Sequence, residues 1–306
     1  MGLEVCYNSS PVILMEGALG ERLKREYGIA FDADVAMAGL VYEEKSRAAL
    51  RELWGEYISI ARRHHFPFMA TTPTRRANRE RVSRSLFDER IIEQNVRFLQ
   101  SVRDSSAIDM YVGGLMGCKG DAYKASEALT VSAAEEFHSW QADLFRDAGA
   151  DFLYAGIMPA ITEAIGMARA MEQTGLPYII SFMVHKDGRL IDGTTINDAI
   201  VEIDNHTNCK PLCYMANCIH PSVLYQALTR PFNQTVTVRE RFHGIQGNTS
   251  PLPPEELDGC VDLKASDAGS WADSIIKLRE ITMLKVIGGC CGTDDTHMEE
   301  LAKRLR

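Results

Sequence analysis

Two cysteines stand side by side in the run Val286-Ile287-Gly288-Gly289-Cys290-Cys291-Gly292-Thr293, and a third lies well upstream in Asn217-Cys218-Ile219-His220-Pro221. Thiolates are soft metal ligands, and three of them brought to one point make a tetrahedral zinc site with one position left for an incoming group. Such a site suits an incoming thiol, so the chemistry expected of Cys218, Cys290 and Cys291 is that of a metal-held sulfur nucleophile. Successive side chains of a strand point to opposite faces, so an adjacent pair can face one metal only where the chain leaves regular extended structure. The glycines before and after the pair allow that turn. The competing reading is burial of three small hydrophobes, the common fate of a free cysteine.

Three sulfurs from two distant segments can meet only if the fold brings two strand ends to one rim. Short apolar runs alternate with amphipathic stretches along the whole chain, the rhythm of a parallel sheet. Candidate strands are Val12 to Met15, Phe66 to Ala70, Ile108 to Val112, Phe152 to Tyr154, Tyr178 to Phe182, Leu212 to Ala216, Phe242 to Gln246 and Met283 to Ile287. Gln234 to Val238 reads as a strand too. Between them, Glu44 to Arg63 sets Leu50, Leu53, Trp54, Tyr57 and Ile58 on one face, and Ala133 to Ala148 does the same with Phe137, Trp140, Leu144 and Phe145.

About eight such βα units predict an α/β chain folded as a (β/α)8 TIM barrel, a single domain over 1–306. An open doubly wound sheet is disfavoured, because no GxGxxG turn follows the first strand. In a barrel, residues just past each strand line the catalytic face. Cys218 is then expected after strand six and Cys290 and Cys291 after strand eight, all on one rim. Cys209 and Cys213 fall at the opposite end, and Cys6, Cys118 and Cys260 belong to no pattern.

The chain has 306 residues, 45% hydrophobic and 25% charged, an ordinary globular composition. Its net charge of -9 offers no basic excess to neutralise phosphates, so nucleic acid and anionic membranes are excluded as main partners in favour of small molecules. No apolar stretch is long enough to span a bilayer, and the first residues lack the charged start and apolar core of a secretory signal. Cys6 stands where myristoylation after Gly2 would want Ser or Thr. A cytoplasmic location is expected, where 8 cysteines serve as metal ligands or core residues instead of a disulfide framework. Pro251-Leu252-Pro253-Pro254 reads as a stiff loop.

On these residues the chain resembles the zinc-dependent homocysteine S-methyltransferase family. The Gly288 to Thr293 run and the Asn-Cys-x-x-Pro of Asn217 to Pro221 are the most specific parts. Glu16-Gly17-Ala18-Leu19-Gly20-Glu21-Arg22-Leu23 is similar to the family's DGAMGTEL, and Thr72-Pro73-Thr74-Arg75-Arg76-Ala77-Asn78-Arg79 to its TNTFGANR. The resemblance implies Zn²⁺ held by Cys218, Cys290 and Cys291, with an acceptor thiol completing the site. It also implies substrate contacts from Glu16, Gly17, Thr72, Asn217, Asn248 and Gly289. Where the family has Glu-Thr after strand four, this chain has Ala155-Gly156-Ile157-Met158-Pro159, so Glu16 or Glu163 is expected to supply the carboxylate for an ammonium group.

The implied reaction moves a methyl group from a sulfonium donor, S-methylmethionine or S-adenosylmethionine, to the thiolate of homocysteine or a related thiol, giving methionine or a thioether. Two alternatives stand beside it: a divergent member with another acceptor, or a zinc-binding barrel without methyl transfer. Partners are the acceptor and the donor, with homo-oligomer formation open. His220, two residues past Cys218, is weighed as a group supporting the metal or as a general base, against an ordinary polar loop residue. His64-His65 are read as suiting a helix C-terminus, Glu299-Glu300 as a solvated helix face, and Arg75, Arg76, Arg79 and Arg81 as surface ion pairs, with contact to an acidic substrate group the lesser reading.

Overall fold

The computed structural model describes residues 2–252 and 266–306. Cys260 and the Pro253-Pro254 part of the expected stiff loop lie outside them. Eight parallel strands close into a barrel in sequence order. They are β1 (Ile13–Met15), β2 (Phe68–Thr71), β3 (Met110–Gly117), β4 (Phe152–Met158), β5 (Tyr178–Phe182), β6 (Cys213–Ile219), β7 (Phe242–Gly247) and β8 (Val286–Gly289). Closure comes from β1 pairing with β8, Ile13 opposite Val286. The expected (β/α)8 TIM barrel is the observed architecture.

Side chains alternate across each strand as the pleat requires. Ile13, Met15, Met69, Phe152, Tyr154, Met215 and Val286 pack together inside the barrel, while Leu14, Phe68, Leu153 and Ile287 join the larger core beneath the helices. Fully burying a side chain of this size contributes about 1.5–3 kcal/mol, so these alternating layers, repeated round the barrel, hold the rim in place. Cys213 lies in the inner core and Cys209 is exposed, both away from the cysteine cluster as expected.

Three expectations need correction. Gln234 to Val238 is not a strand: Thr235 accepts the Val238 N–H and starts a helix at Val236–Arg241, a capping bond that overrides the β-branched pattern. The last strand begins at Val286 because Met283 is exposed in a turn, where the Leu284 N–H donates to the Thr282 carbonyl. In the helix Val131–Asp147 the inward face carries Ala134, His138, Gln141, Ala142 and Phe145, and Phe137 and Trp140 are only half-buried. His138 and Gln141 can face inward because each has a partner, Glu163 and the Thr74 carbonyl. By contrast the helix Glu44–His64 buries the five apolar residues expected of it.

Helix ends account for other polar residues. His64 is buried against the Glu299 carboxylate at 2.9 Å, so Glu299 is not the solvated group expected. His65 takes the left-handed conformation that ends its helix. Among the described residues, no helix is long and apolar enough to cross a membrane.

The N-terminal helix Leu3–Ser9 covers the floor of the barrel, where the Tyr7 hydroxyl meets His243 Nδ1 at 2.6 Å. Burial, with Lys285 and Arg241 nearby, pushes the His243 pKa down to about 4. A histidine with a depressed folded pKa binds fewer protons folded than unfolded, so its contribution is complete above the ordinary value of about 6.5 and is lost as pH falls toward 4. We expect the melting temperature to fall through that window, and His243→Gln to flatten this part of the profile. An unchanged slope in the variant would remove His243 as the group responsible.

Candidate active site

Cys218 is the next-to-last residue of β6, within the strand and not after it. It can still turn inward because the register with β7 slips between Asn217 and Ile219, and its φ is +57°. A left-handed conformation at a residue with a Cβ costs roughly 1–2 kcal/mol. Asn217 offsets that cost. Its Oδ1 accepts the Ile157 N–H at 3.0 Å and the Ser181 hydroxyl at 2.7 Å, tying β6 to β4 and β5. Ile157 itself has φ +57° at a matching irregularity in β4. One amide therefore braces two strained strand ends around the rim.

The adjacent pair is held by backbone. The Cys290 N–H donates to the Gly247 carbonyl at 2.8 Å, and the Thr249 N–H to the Cys291 carbonyl at 3.1 Å. Thr293, fully buried, donates its hydroxyl to the Cys290 carbonyl at 2.7 Å and accepts the Ala18 N–H at 3.0 Å. Gly292 turns the chain at φ +83°, and its N–H donates to Glu21 at 2.7 Å. The loops after β1, β7 and β8 are thus locked together.

This framework brings the sulfurs of Cys218, Cys290 and Cys291 to within 4.8 Å of one another, with Cys218 and Cys290 only 3.0 Å apart. Three thiols at that spacing share protons. Hydrogen bonds from Cys218 and Cys290 pull the Cys291 pKa far below the ordinary thiol range, while bonds to its two neighbours and burial push Cys290 well above it. All three side chains are sulfur donors, and a bound cation would take the place of their protons. A soft, borderline divalent ion matches this donor set.

A cavity of about 550 Å³ opens over the cluster, lined by Glu16, Gly17, Tyr154, Asn217, Gly289 and the cysteines. Of the residues expected to contact substrate, Glu16, Gly17, Asn217 and Gly289 reach it. Thr72 does not: it is fully buried, with its hydroxyl paired to Thr74 and accepting the Leu115 N–H. Thr71 lines the pocket instead. Asn248 lies outside the lining, its N–H on the Ile219 carbonyl and its own carbonyl on the Trp271 indole. Glu163 is also excluded, because it is buried among His138, the Lys119 N–H and the Leu129 N–H.

Glu16 is the carboxyl at the base of the pocket. It accepts the Thr71 hydroxyl at 2.6 Å, and burial pushes its pKa up to about 7 against the lowering effect of the Thr71 bonds. Tyr154 and Gln246, joined by a 2.8 Å bond from the Tyr154 hydroxyl, form a second polar wall that the sequence reading missed. Both sit at inward positions, and an inward period of two running back from the strand ends would have found them. His220 is the N-cap of the helix Pro221–Leu228, with Nδ1 accepting the Ser222 N–H. Its ring is committed to starting that helix, which displaces the general-base reading.

The chain is similar to several known proteins. The homocysteine S-methyltransferase family model matches residues 13–305. A Bacillus subtilis (strain 168) protein, homocysteine S-methyltransferase YbgG, is 26% identical over 198 residues, 61% of this chain and 57% of its own length. The match thus spans little more than half of that relative. The metallated form of the homocysteine methyltransferase MmuM from Escherichia coli superposes with a TM-score of 0.76 at 19% identity, over 99% of both chains. Its apo form superposes at 0.68 over 97% of both. With the family model covering the barrel from its first strand to its last helix, the chain belongs to the homocysteine S-methyltransferase family, a family of methyl-transferring enzymes.

Proposed function

We propose that this chain, as one barrel domain, is a zinc-dependent S-methyltransferase that moves a methyl group from a sulfonium donor to the thiolate of homocysteine or a related thiol. The observation that carries the reading is the convergence of Cys218, Cys290 and Cys291 at the floor of an open pocket on the C-terminal rim. These three side chains would hold the metal and leave one direction, toward the cavity, for the acceptor. When bound, Zn²⁺ would supply the Lewis acidity that keeps a thiol deprotonated at neutral pH.

The remaining residues orient and enclose. Asn217 fixes the β6 end so that Cys218 keeps its inward aim, and Thr293 ties the cysteine turn to the loop after β1. Leu115 and Ile157 give the cavity an apolar side that excludes water from the reacting sulfur. Glu16 presents a carboxyl whose protonation changes near neutrality. The donor must then enter from the open side with its methyl in line with the sulfur, at a separation of about 3–3.5 Å.

Supplied with zinc, labelled S-methylmethionine or S-adenosylmethionine and a set of thiols, the protein is expected to form a labelled thioether with at least one acceptor. Metal removal should abolish transfer while the circular dichroism spectrum is kept, because the barrel core does not depend on the rim. Absence of transfer to every thiol at full zinc occupancy would overturn the proposal.

A further inference from the structure

Beside the cysteine pocket lies a second cavity of about 700 Å³, and Arg75 and Arg76 line both. The Arg75 stem crosses the end of β3 where there is no side chain in its way: a Cβ on Gly117 would come within 2.7 Å of Arg75 Cγ. The second cavity is basic. Arg81, Arg84 and Lys119 join its wall, and burial followed by the charges of Arg76, Arg84 and Arg75 pushes the Arg81 pKa down.

The acidic groups nearby are already engaged. Glu80 pairs with Lys119 at 3.0 Å, Asp34 with Arg84 at 3.2 Å, and Asp121 with Lys124 at 3.6 Å, while Glu127 accepts the Asp121 N–H. In the cysteine pocket, Glu16 is bonded to Thr71, and Glu21 to Arg25 and the Gly292 N–H. Among the described residues Arg75 and Arg76 have no ion-pair partner. Two guanidinium groups at the junction of two cavities, one of which holds the sulfur cluster, form a receptor for an anion on whatever is bound there.

We propose that Arg75 and Arg76 form a subsite for an anionic group on the acceptor, so that the preferred acceptor is a net-anionic thiol bearing a carboxylate, sulfonate or phosphate. This rests on the thiol-methylation reading above. The anion belongs to the acceptor because S-methylmethionine and S-adenosylmethionine, whose one carboxylate is outweighed by an ammonium and a sulfonium, are net positive and are repelled by this wall. The arginines attract the acceptor's tail, and its sulfur is left facing Cys218, Cys290 and Cys291.

Titration calorimetry on the zinc-loaded protein tests this without relying on turnover. The anionic probes are mercaptobutyrate, which is homocysteine without its ammonium, mercaptoethanesulfonate and a mercaptoalkyl phosphate, and the tightest of the three identifies the anion. The controls are mercaptoethanol, cysteamine and homocysteine. At least one anionic thiol is expected to bind about tenfold or more tighter than mercaptoethanol and no weaker than homocysteine. Arg75→Gln and Arg76→Gln should each reduce that preference with zinc content unchanged. Equal binding of neutral and anionic thiols, tighter binding of homocysteine than of every anionic probe, or a preference that survives both substitutions overturns the subsite alone. Failure of every thiol to bind at full zinc occupancy overturns the thiol reading along with it.

Discussion

Serine at position 290 or 291 is expected to abolish zinc binding and methyl transfer together, with transfer falling by more than about 100-fold, since even groups that only support metal ligands account for 10- to 100-fold. A serine hydroxyl keeps the shape of the side chain while being smaller than a thiol, is not ionised near neutrality and is a poor partner for zinc. Fold and site are separable here. Cys290 is half-buried and Cys291 exposed on the rim, and the turn that carries them is held through backbone groups and Thr293, none of which the substitution removes. Circular dichroism and melting temperature of the metal-free variants should match those of the metal-free parent. Cys218→Ser should behave in the same way, with an added stability loss from its buried, left-handed position. Retention of stoichiometric zinc and full rate by either rim variant would show that the ligand set is wrong.

The cysteine cluster could be read before the fold was known because residue type and spacing both carry chemistry: few arrangements put glycines on both sides of two adjacent thiols. Strand cores were legible for a related reason, since apolar alternation reports which residues face the barrel. The far ends of β4 and β6 were not. Both run past the expected limits because Ile157 and Cys218 adopt left-handed conformations, and those depend on the Asn217 amide reaching across to β4 and β5. No local pattern encodes a bond between residues 60 positions apart.

The exchange of Thr72 for Thr71 has a simpler origin. A one-residue shift in register moves a side chain from one face of a strand to the other, and alignment to a motif does not resolve that choice. Counting inward from Met69, which lies in the barrel core, selects Thr71. Glu163 was a reasonable candidate by charge alone. Its buried partner His138 lies on another helix, and only the packing of the helices Val131–Asp147 and Ile161–Glu172 shows that the carboxylate is already spoken for. By residue type and spacing alone, Arg75 and Arg76 suit surface ion pairs. The structure gives them no acidic partner among the described residues and sets them at the mouth of the pocket, a distinction of environment and not of residue type.

Gly292→Ala is expected to destabilise the protein by about 1–2 kcal/mol from backbone conformation alone, because φ at this position is +83°. A steric effect adds to it, since a Cβ here would overlap Thr249 Oγ1. The backbone penalty cannot be relieved locally. The Gly292 N–H is committed to Glu21, the Thr249 N–H to the Cys291 carbonyl, and the Cys290 N–H to the Gly247 carbonyl, so a shift at 292 displaces the cysteine pair. Zinc affinity should therefore fall together with stability, which would not happen if the glycine merely permitted a surface turn. The double variant Gly292→Ala with Thr249→Ala separates the two causes. Removing the hydroxyl relieves the overlap but leaves the backbone strain, so zinc affinity should recover further than melting temperature. Recovery of both to the level of Thr249→Ala alone would mean that the conformational penalty is absent, and that the turn can reach the same cysteine geometry with an ordinary φ.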